Sequence, residues 1–334
     1  MKILIATQKP FAASAVKGIE DILRAAGHEV VKLEKYPEQK DLVAAVADAE
    51  ALIIRSDKVT AEVLDAAPKL KIVVRAGAGF DNVDLEAATA HGVVVMNTPG
   101  QNSNAVAELA LGLMIFMART HFTPATGSEL QGKRLGVQAY GNVGRLVGQK
   151  AKALGMEISA LDPFLTDEQI LAGGAQPVHS VEELYASADY LSIHIPALPS
   201  TVKSIGYDLI MRMPKGATLV NTARKEVIDE EGLFRALSER EDLKYVTDVM
   251  PDNYALLREK FGTRVFATPK KMGAQTAEAN VNAGLAAARQ IVDFFATGNR
   301  KFQVNVSVSG MPCGGVSGVT GPLAWQGVFN LGLF

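Results

Sequence analysis

Five short apolar runs open the chain: KILIA (residues 2–6), EVVKL (29–33), ALIIR (51–55), KIVVR (71–75) and GVVVM (92–96). Each is rich in Val and Ile and leads into turn residues or an amphipathic stretch. Runs that are apolar throughout, rather than alternating, suit parallel strands buried on both faces, with crossover helices between them. A second series repeats the rhythm in KRLGVQAY (133–140), MEISALDP (156–163), DYLSIHIP (189–196), ATLVNTAR (217–224), KYVTDVM (244–250) and RVFATP (264–269). Between the two series, NAVAELALGLMIFMART (104–120) has helical character but is apolar nearly all round. Such a helix needs cover from a second domain or a second subunit. Ser180, three residues before Glu183, predicts a capping-box start for one intervening helix. A long helical pattern runs from Gln275 to about Thr297, after which FQVNV (302–306) reads as a return toward the first series.

The expected class is therefore α/β, with two doubly wound parallel-sheet domains. One is a flavodoxin-like domain over residues 1–98 plus 282–305, and the other a Rossmann domain over 99–281. In such sheets ligands bind beyond the carboxyl ends of the strands, so the loops after strands carry the candidate chemistry. Residues 306–334 carry no charge and many glycines, and they hold the only Cys and the only Trp. They read as a poorly ordered tail or one appended by cloning, with an oligomer contact as the alternative.

Composition narrows the function classes. About half the chain is apolar, 48%, and the net charge is −2 with no basic block, so no nucleic-acid partner is expected. The apolar run at the N-terminus is too short for a signal peptide, and no window is long enough for a membrane span. The single cysteine, Cys313, excludes an internal disulfide framework and points to a reducing, cytoplasmic compartment. The five histidines are too scattered for a local metal motif, so no metal is expected.

The stretch LGVQAYGNVGRLVGQKAKALGMEISALDPF reads strand, glycine turn, helix, strand, acid. A dinucleotide loop has the form G-x-G-x-x-G, and here the sequence runs Ala139, Tyr140, Gly141, Asn142, Val143, Gly144. Gly141 lets backbone approach a pyrophosphate, Gly144 permits close helix–strand packing, and the helix N-terminus offers N–H groups and a positive dipole end. With alanine in the first position, a negative φ is expected at Ala139. Asp162, about 20 residues further on, stands where a carboxylate accepts both ribose hydroxyls, and no adjacent Arg or Lys invites a 2′-phosphate. The expected cofactor is NAD.

The segments VVRAGAGFDNVD, MNTPGQNSNAVAEL, LVNTARKEVID and TPKKMGAQT, in this order around the glycine loop, resemble the D-2-hydroxyacid dehydrogenase family over roughly residues 1–305. The resemblance implies a two-domain NAD enzyme, a small-molecule 2-hydroxy acid substrate and a homodimer built on helix 103–120. It implies that Arg224 binds the substrate and polarises its carbonyl, a task that suits a guanidinium forking onto a carboxylate. Gly77 and Ala78 match the loop whose N–H groups hold that carboxylate. Arg55, Ser56 and Asn102 match positions that contact the distal end of a phosphorylated substrate, which implies oxidation of D-3-phosphoglycerate to 3-phosphohydroxypyruvate, the entry to serine synthesis, with another D-2-hydroxy acid such as glycerate as the alternative substrate. His194, Ile195, Pro196, Thr222, Ala223 and Asp248 match cofactor-loop positions. Lys225 stands where relatives often have glycine, and it reads as solvated.

One departure from the family pattern is chemical. Its members mostly carry an acid–base histidine after the TP pair and a glutamate five residues beyond the Asp of DV. Here no histidine follows His194, and the glutamate position is Asn253, beside Asp252. Two readings follow: a catalytically silent NAD-sensing scaffold, or proton transfer by a lysine as in a lysine-bearing branch that this loop resembles. A lysine begins near pKa 10.4 against about 6.5 for histidine, so it protonates an alkoxide readily and must be coaxed to lose its proton for oxidation. Replacing glutamate by asparagine removes a charge that would oppose that loss. Counting from Pro269 selects Lys270 and counting back from Gly273 selects Lys271; proximity to the strand end favours Lys270.

Overall fold

The structure, a computed structural model, describes residues 1–305. The expectations for residues 306–334, including Cys313, lie outside the described residues. Contacts divide the described residues into one unit of Met1–Asn102 with residues 276–305, and a second of Ser103–Gln275.

In the first unit β1 (Lys2–Thr7), β2 (Glu29–Glu34), β3 (Ala51–Ile54), β4 (Ile72–Arg75) and β5 (Val94–Asn97) form a wholly parallel sheet of order β2-β1-β3-β4-β5. That is the flavodoxin-like order, and the strands coincide with the five opening runs. Successive side chains leave a strand on opposite faces. Ile3 and Ile5 accordingly join a cluster with Ile19 and Ile291, while Leu4 and Ala6 join another with Leu42 and Val63. Burial on both faces is why the runs are continuous. The edge strand β2 is the exception, with Glu29, Lys32 and Glu34 reaching solvent or its margin.

The sequence split this unit from the rest at residue 282, inside what is one unbroken helix, Ala277–Thr297. A Cβ on Gly18 would stand 2.6 Å from Leu285, and one on Gly284 would stand 2.7 Å from Ile19, so this helix and Ala13–Ala25 pack through glycines. The whole helix therefore goes with the first unit. Val304 N–H then donates to Val95 O, and Asn305 bonds Val95 N–H and Val93 O, which makes the return strand-like pairing with β5.

The second unit holds β6 (Arg134–Gln138), β7 (Glu157–Leu161), β8 (Gln176–Pro177), β9 (Tyr190–Ile193), β10 (Thr218–Asn221), β11 (Lys244–Thr247) and β12 (Val265–Ala267). They pair in parallel in the order β12-β11-β10-β9-β6-β7-β8, a Rossmann arrangement whose direction reverses between β6 and β9. The two-residue β8 has no apolar run and escaped the sequence reading. Ser180 caps its helix through Glu183 N–H, but the reciprocal half of the box is not made. A complete box forms instead at Thr166 with Gln169. The apolar helix spans Ser103–Ala118, two residues shorter than expected, and ends where Thr120, His121 and Phe122 all take positive φ. No helix among the described residues is long and apolar enough to cross a membrane.

Candidate active site

The glycine turn follows β6 at the reversal point of its sheet. A Cβ on Gly144 would stand 2.2 Å from Ala139 O, so glycine is obligatory there for the helix Asn142–Ala153 to pack against the turn. A Cβ on Gly141 would meet nothing within 4 Å. Its bareness serves no internal contact, and the open space it faces is where a phosphate would approach. The first turn of the helix has no side-chain cap, which leaves the N–H groups of Asn142, Val143 and Gly144 pointed out of the helix end. Beyond β10, Thr222 Oγ1 is buried without a partner. These features fit a dinucleotide, with the uncapped helix end taking the pyrophosphate.

Ala139 overturns one expectation. Its φ is +71°, the left-handed conformation that glycine adopts freely and alanine adopts under strain. The turn is held closed regardless. Tyr140 N–H donates to Asp162 Oδ2 at 2.8 Å, and the fully buried Tyr140 ring sends its hydroxyl to Gly173 O at 2.7 Å. The same Asp162 accepts Phe164 N–H through Oδ1, so the carboxylate that was expected to face a ribose is also the brace of the turn. Each carboxylate oxygen retains a further lone pair for a ribose hydroxyl.

At the end of β9, His194 Nε2 lies 2.8 Å from Ser192 Oγ. Burial pushes its pKa down to about 4, so the ring is neutral at physiological pH. Ile195 and Pro196 continue the loop from His194.

The ends of β10, β11 and β12 carry the candidate acid–base and anion-binding groups. Asn221 shapes the turn after β10, accepting Ala223 N–H and donating to Arg224 O. Arg224 is exposed, and its Nη1 donates to Ala223 O at 2.9 Å. Lys271 Nζ reaches the same Ala223 O at 3.4 Å. Two basic side chains from separate loops thus share one carbonyl oxygen as acceptor. Lys270 is exposed, and the contact that it makes with this framework is through its carbonyl, 2.9 Å from Thr268 Oγ1. Of the two lysines, Lys271 is the one whose Nζ reaches the turn that carries Arg224.

Asp248 is fully buried and accepts Thr268 Oγ1, Met272 N–H and Gly273 N–H. Lys225 is not merely solvated: its Nζ pairs with Asp252 Oδ1. Asp252 and Asn253 N–H groups both donate to Glu230, and Asn253 Oδ1 is buried without a partner. Thr268 and Asn221 were not singled out from the sequence, where each looks like an ordinary polar residue at a strand end.

In the first unit, Gly77 has φ +151°, and a Cβ there would stand 1.6 Å from Arg75 Nη1. The positive φ favours glycine there, whereas the crowding atoms are the tip of the Arg75 side chain. Gly77 N–H folds back on Arg75 O, so it is occupied. Among the described residues, the Ala78 and Gly79 N–H groups make no intramolecular hydrogen bond. The Arg55 guanidinium donates through Nη1 to Lys9 O and Pro10 O and through Nη2 to Asn280 Oδ1, which leaves Nε–H and one Nη2–H. Burial lowers its pKa and the Asp57 charge opposes that, but a guanidinium stays cationic. Ser56 is exposed beside it, and Asn102 is the last residue of this stretch of the unit.

Residues 5–305 match the signature of the D-isomer specific 2-hydroxyacid dehydrogenase catalytic domain. D-3-phosphoglycerate dehydrogenase of Methanocaldococcus jannaschii is 37% identical over 311 residues, 87% of this chain and 57% of that protein. The Rattus norvegicus D-3-phosphoglycerate dehydrogenase is 38% identical over 81% of this chain and 53% of its own length. The chain thus spans little more than half the length of these curated relatives. A crystal structure of NAD+-bound 3-phosphoglycerate dehydrogenase from Entamoeba histolytica superposes with a TM-score of 0.79 at 50% identity, over 92% of this chain and 99% of that one. D-2-hydroxyisocaproate dehydrogenase, at 20% identity and a TM-score of 0.77, shares the fold. The glycine turn and the extent of these matches lead to one conclusion: the chain belongs to the D-isomer specific 2-hydroxyacid dehydrogenase family.

Proposed function

We propose that the chain oxidises D-3-phosphoglycerate to 3-phosphohydroxypyruvate with NAD, the entry step to serine synthesis, and that Lys271 exchanges the hydroxyl proton. The observation that carries the reading is the convergence of Arg224 Nη1 and Lys271 Nζ on Ala223 O. The relatives named for this substrate, and the NAD+ described in the Entamoeba structure, supply the chemistry. The helix end at residues 142–144 and Asp162 would hold NAD, which would supply an acceptor for the C2 hydride. Lys271, as the free amine, takes the proton from the C2 hydroxyl while the carbonyl double bond forms. Arg224 stabilises the charge that develops on that oxygen. The Ala78 and Gly79 N–H groups offer donors to the carboxylate, and the two spare N–H groups of Arg55 offer donors to the phosphate. An exposed face of the helix Ser103–Ala118, with Gly112 and Ile115 open, supports a homodimer through that helix.

The test is NADH formation with phosphoglycerate and with glycerate, in the wild type and in Lys270→Ala and Lys271→Ala. The expected result is turnover of phosphoglycerate in preference to glycerate, rising toward alkaline pH. Lys271→Ala should lose at least ~10²-fold in kcat, while Lys270→Ala stays near wild type. NAD binding with no turnover of any hydroxy acid would leave a sensing scaffold instead.

A further inference from the structure

We infer that Thr268 and Asp248 form a clasp that positions Lys271, with Thr268 acting as a positioning residue for the reaction. The inference rests on the acid–base reading of Lys271 and extends it to what holds the lysine in place.

Both lysines sit in a short loop, and exposed loop lysines are ordinarily free to wander. This loop is closed at both ends on one buried carboxylate. Thr268 Oγ1 lies 2.7 Å from Asp248 Oδ1, Met272 N lies 2.8 Å from the same oxygen, and Gly273 N lies 2.8 Å from Oδ2. The residues between those anchors are Pro269, Lys270 and Lys271. Hydrogen bonds to a buried carboxylate are among the stronger ones, and three from one loop leave its backbone little freedom. Gly273 belongs to the same device: a Cβ there would press to 3.1 Å from Asp248 Oδ2 and 3.2 Å from Val106.

The clasp is also tied to the arginine turn. Asp248 N–H donates to Asn221 O at 3.0 Å, and the Asn221 side chain holds the turn that carries Arg224. Thr268 N–H donates in turn to Thr247 O, and Thr247 Oγ1 donates to Asn221 O. The parallel register of β10, β11 and β12 thereby sets the spacing between the two cations. Without the Thr268 hydroxyl the fold keeps its sheet and the Thr268 N–H bond to Thr247 O, but the lysine loop loses its side-chain tie to Asp248 at that end. A displacement of about 1 Å at a reacting group costs on the order of 10²-fold in rate.

The experiment compares Thr268→Val, Thr268→Ser, Lys271→Ala and the double variant Thr268→Val/Lys271→Ala, using phosphoglycerate and NAD. Valine matches threonine in shape, and serine restores the hydroxyl. The expected result for Thr268→Val is a loss of ~10-fold or more in kcat, with both KM values within about twofold of wild type. Thr268→Ser should recover most of that loss. In the Lys271→Ala background, Thr268→Val should have no further effect, because the clasp works only through that amine. An active Thr268→Val beside a crippled Lys271→Ala overturns the clasp and leaves the lysine reading intact. A rise in the KM for NAD without a fall in kcat assigns the loop to cofactor binding and also overturns it. Wild-type turnover by Lys271→Ala removes the acid–base reading itself.

Discussion

Ala139→Gly should stabilise the glycine turn, although replacing alanine by glycine usually does the reverse. At φ +71° an L-residue carries about 1–2 kcal/mol of strain. Glycine relieves that strain but adds about 0.4–1 kcal/mol of freedom to the unfolded chain. The difference is roughly 0.5–1 kcal/mol in favour of glycine. Native-state hydrogen exchange at the amides of β6 and β7 reads this locally, without assuming that a two-unit chain unfolds in one step. Protection should rise about two- to fivefold. Gly144→Ala is the contrasting case, since its Cβ would fall 2.2 Å from Ala139 O and 3.0 Å from Val137 Cγ1. Backbone cannot yield as a flexible side-chain tip does, so a loss of about 1–3 kcal/mol is expected. That corresponds to protection lower by ~5-fold to more than 10²-fold. Reduced protection in Ala139→Gly would refute the argument, because it would mean that the turn carries no strain for glycine to relieve.

Two further outcomes test other parts of the molecule. His194 has its pKa lowered by burial to about 4, so between about 6.5 and 4 the unfolded chain binds a proton that the folded one does not. Its contribution is fully present above pH 6.5 and is lost as the pH falls toward 4, up to on the order of 3 kcal/mol. The urea midpoint of wild type should therefore fall more steeply over that window than that of His194→Gln, and parallel profiles would contradict the assignment. Arg55→Gln should raise the KM for phosphoglycerate by ~10- to 10²-fold, as expected for losing a charge-assisted bond to phosphate, and leave the KM for glycerate unchanged. Equal changes for the two acids would mean that Arg55 serves only its bonds to Lys9, Pro10 and Asn280.

Most of the strand framework was legible in the sequence because a buried parallel strand must be apolar on both faces. Ile3 with Ile5 and Leu4 with Ala6 fill opposite cores, and no other pattern serves both. The two-residue β8 and the polar edge strand β2 lie outside that constraint, and β2 was found only through its Val30, Val31 and Leu33. Gly144 was legible too, since the approach of Ala139 O admits no side chain there. The conformation of Ala139 was not. Its strain is held by Tyr140 and Asp162, whose mutual contact appears only once β6 and β7 pair.

Where each of the two lysines points is the clearest case of tertiary decision. Both lysines have the same chemistry and neighbouring positions, so no local rule separates them. What separates them is a carboxylate 20 to 25 residues away in sequence, which holds Thr268, Met272 and Gly273 and turns Lys271 toward Ala223. Arg55 is directed by Asn280, 225 residues along the chain. Residue type and hydrophobic order therefore settled which elements form and which chemistry is on hand. Only the folded chain, by bringing distant acceptors to particular donors, decided where each charged group points.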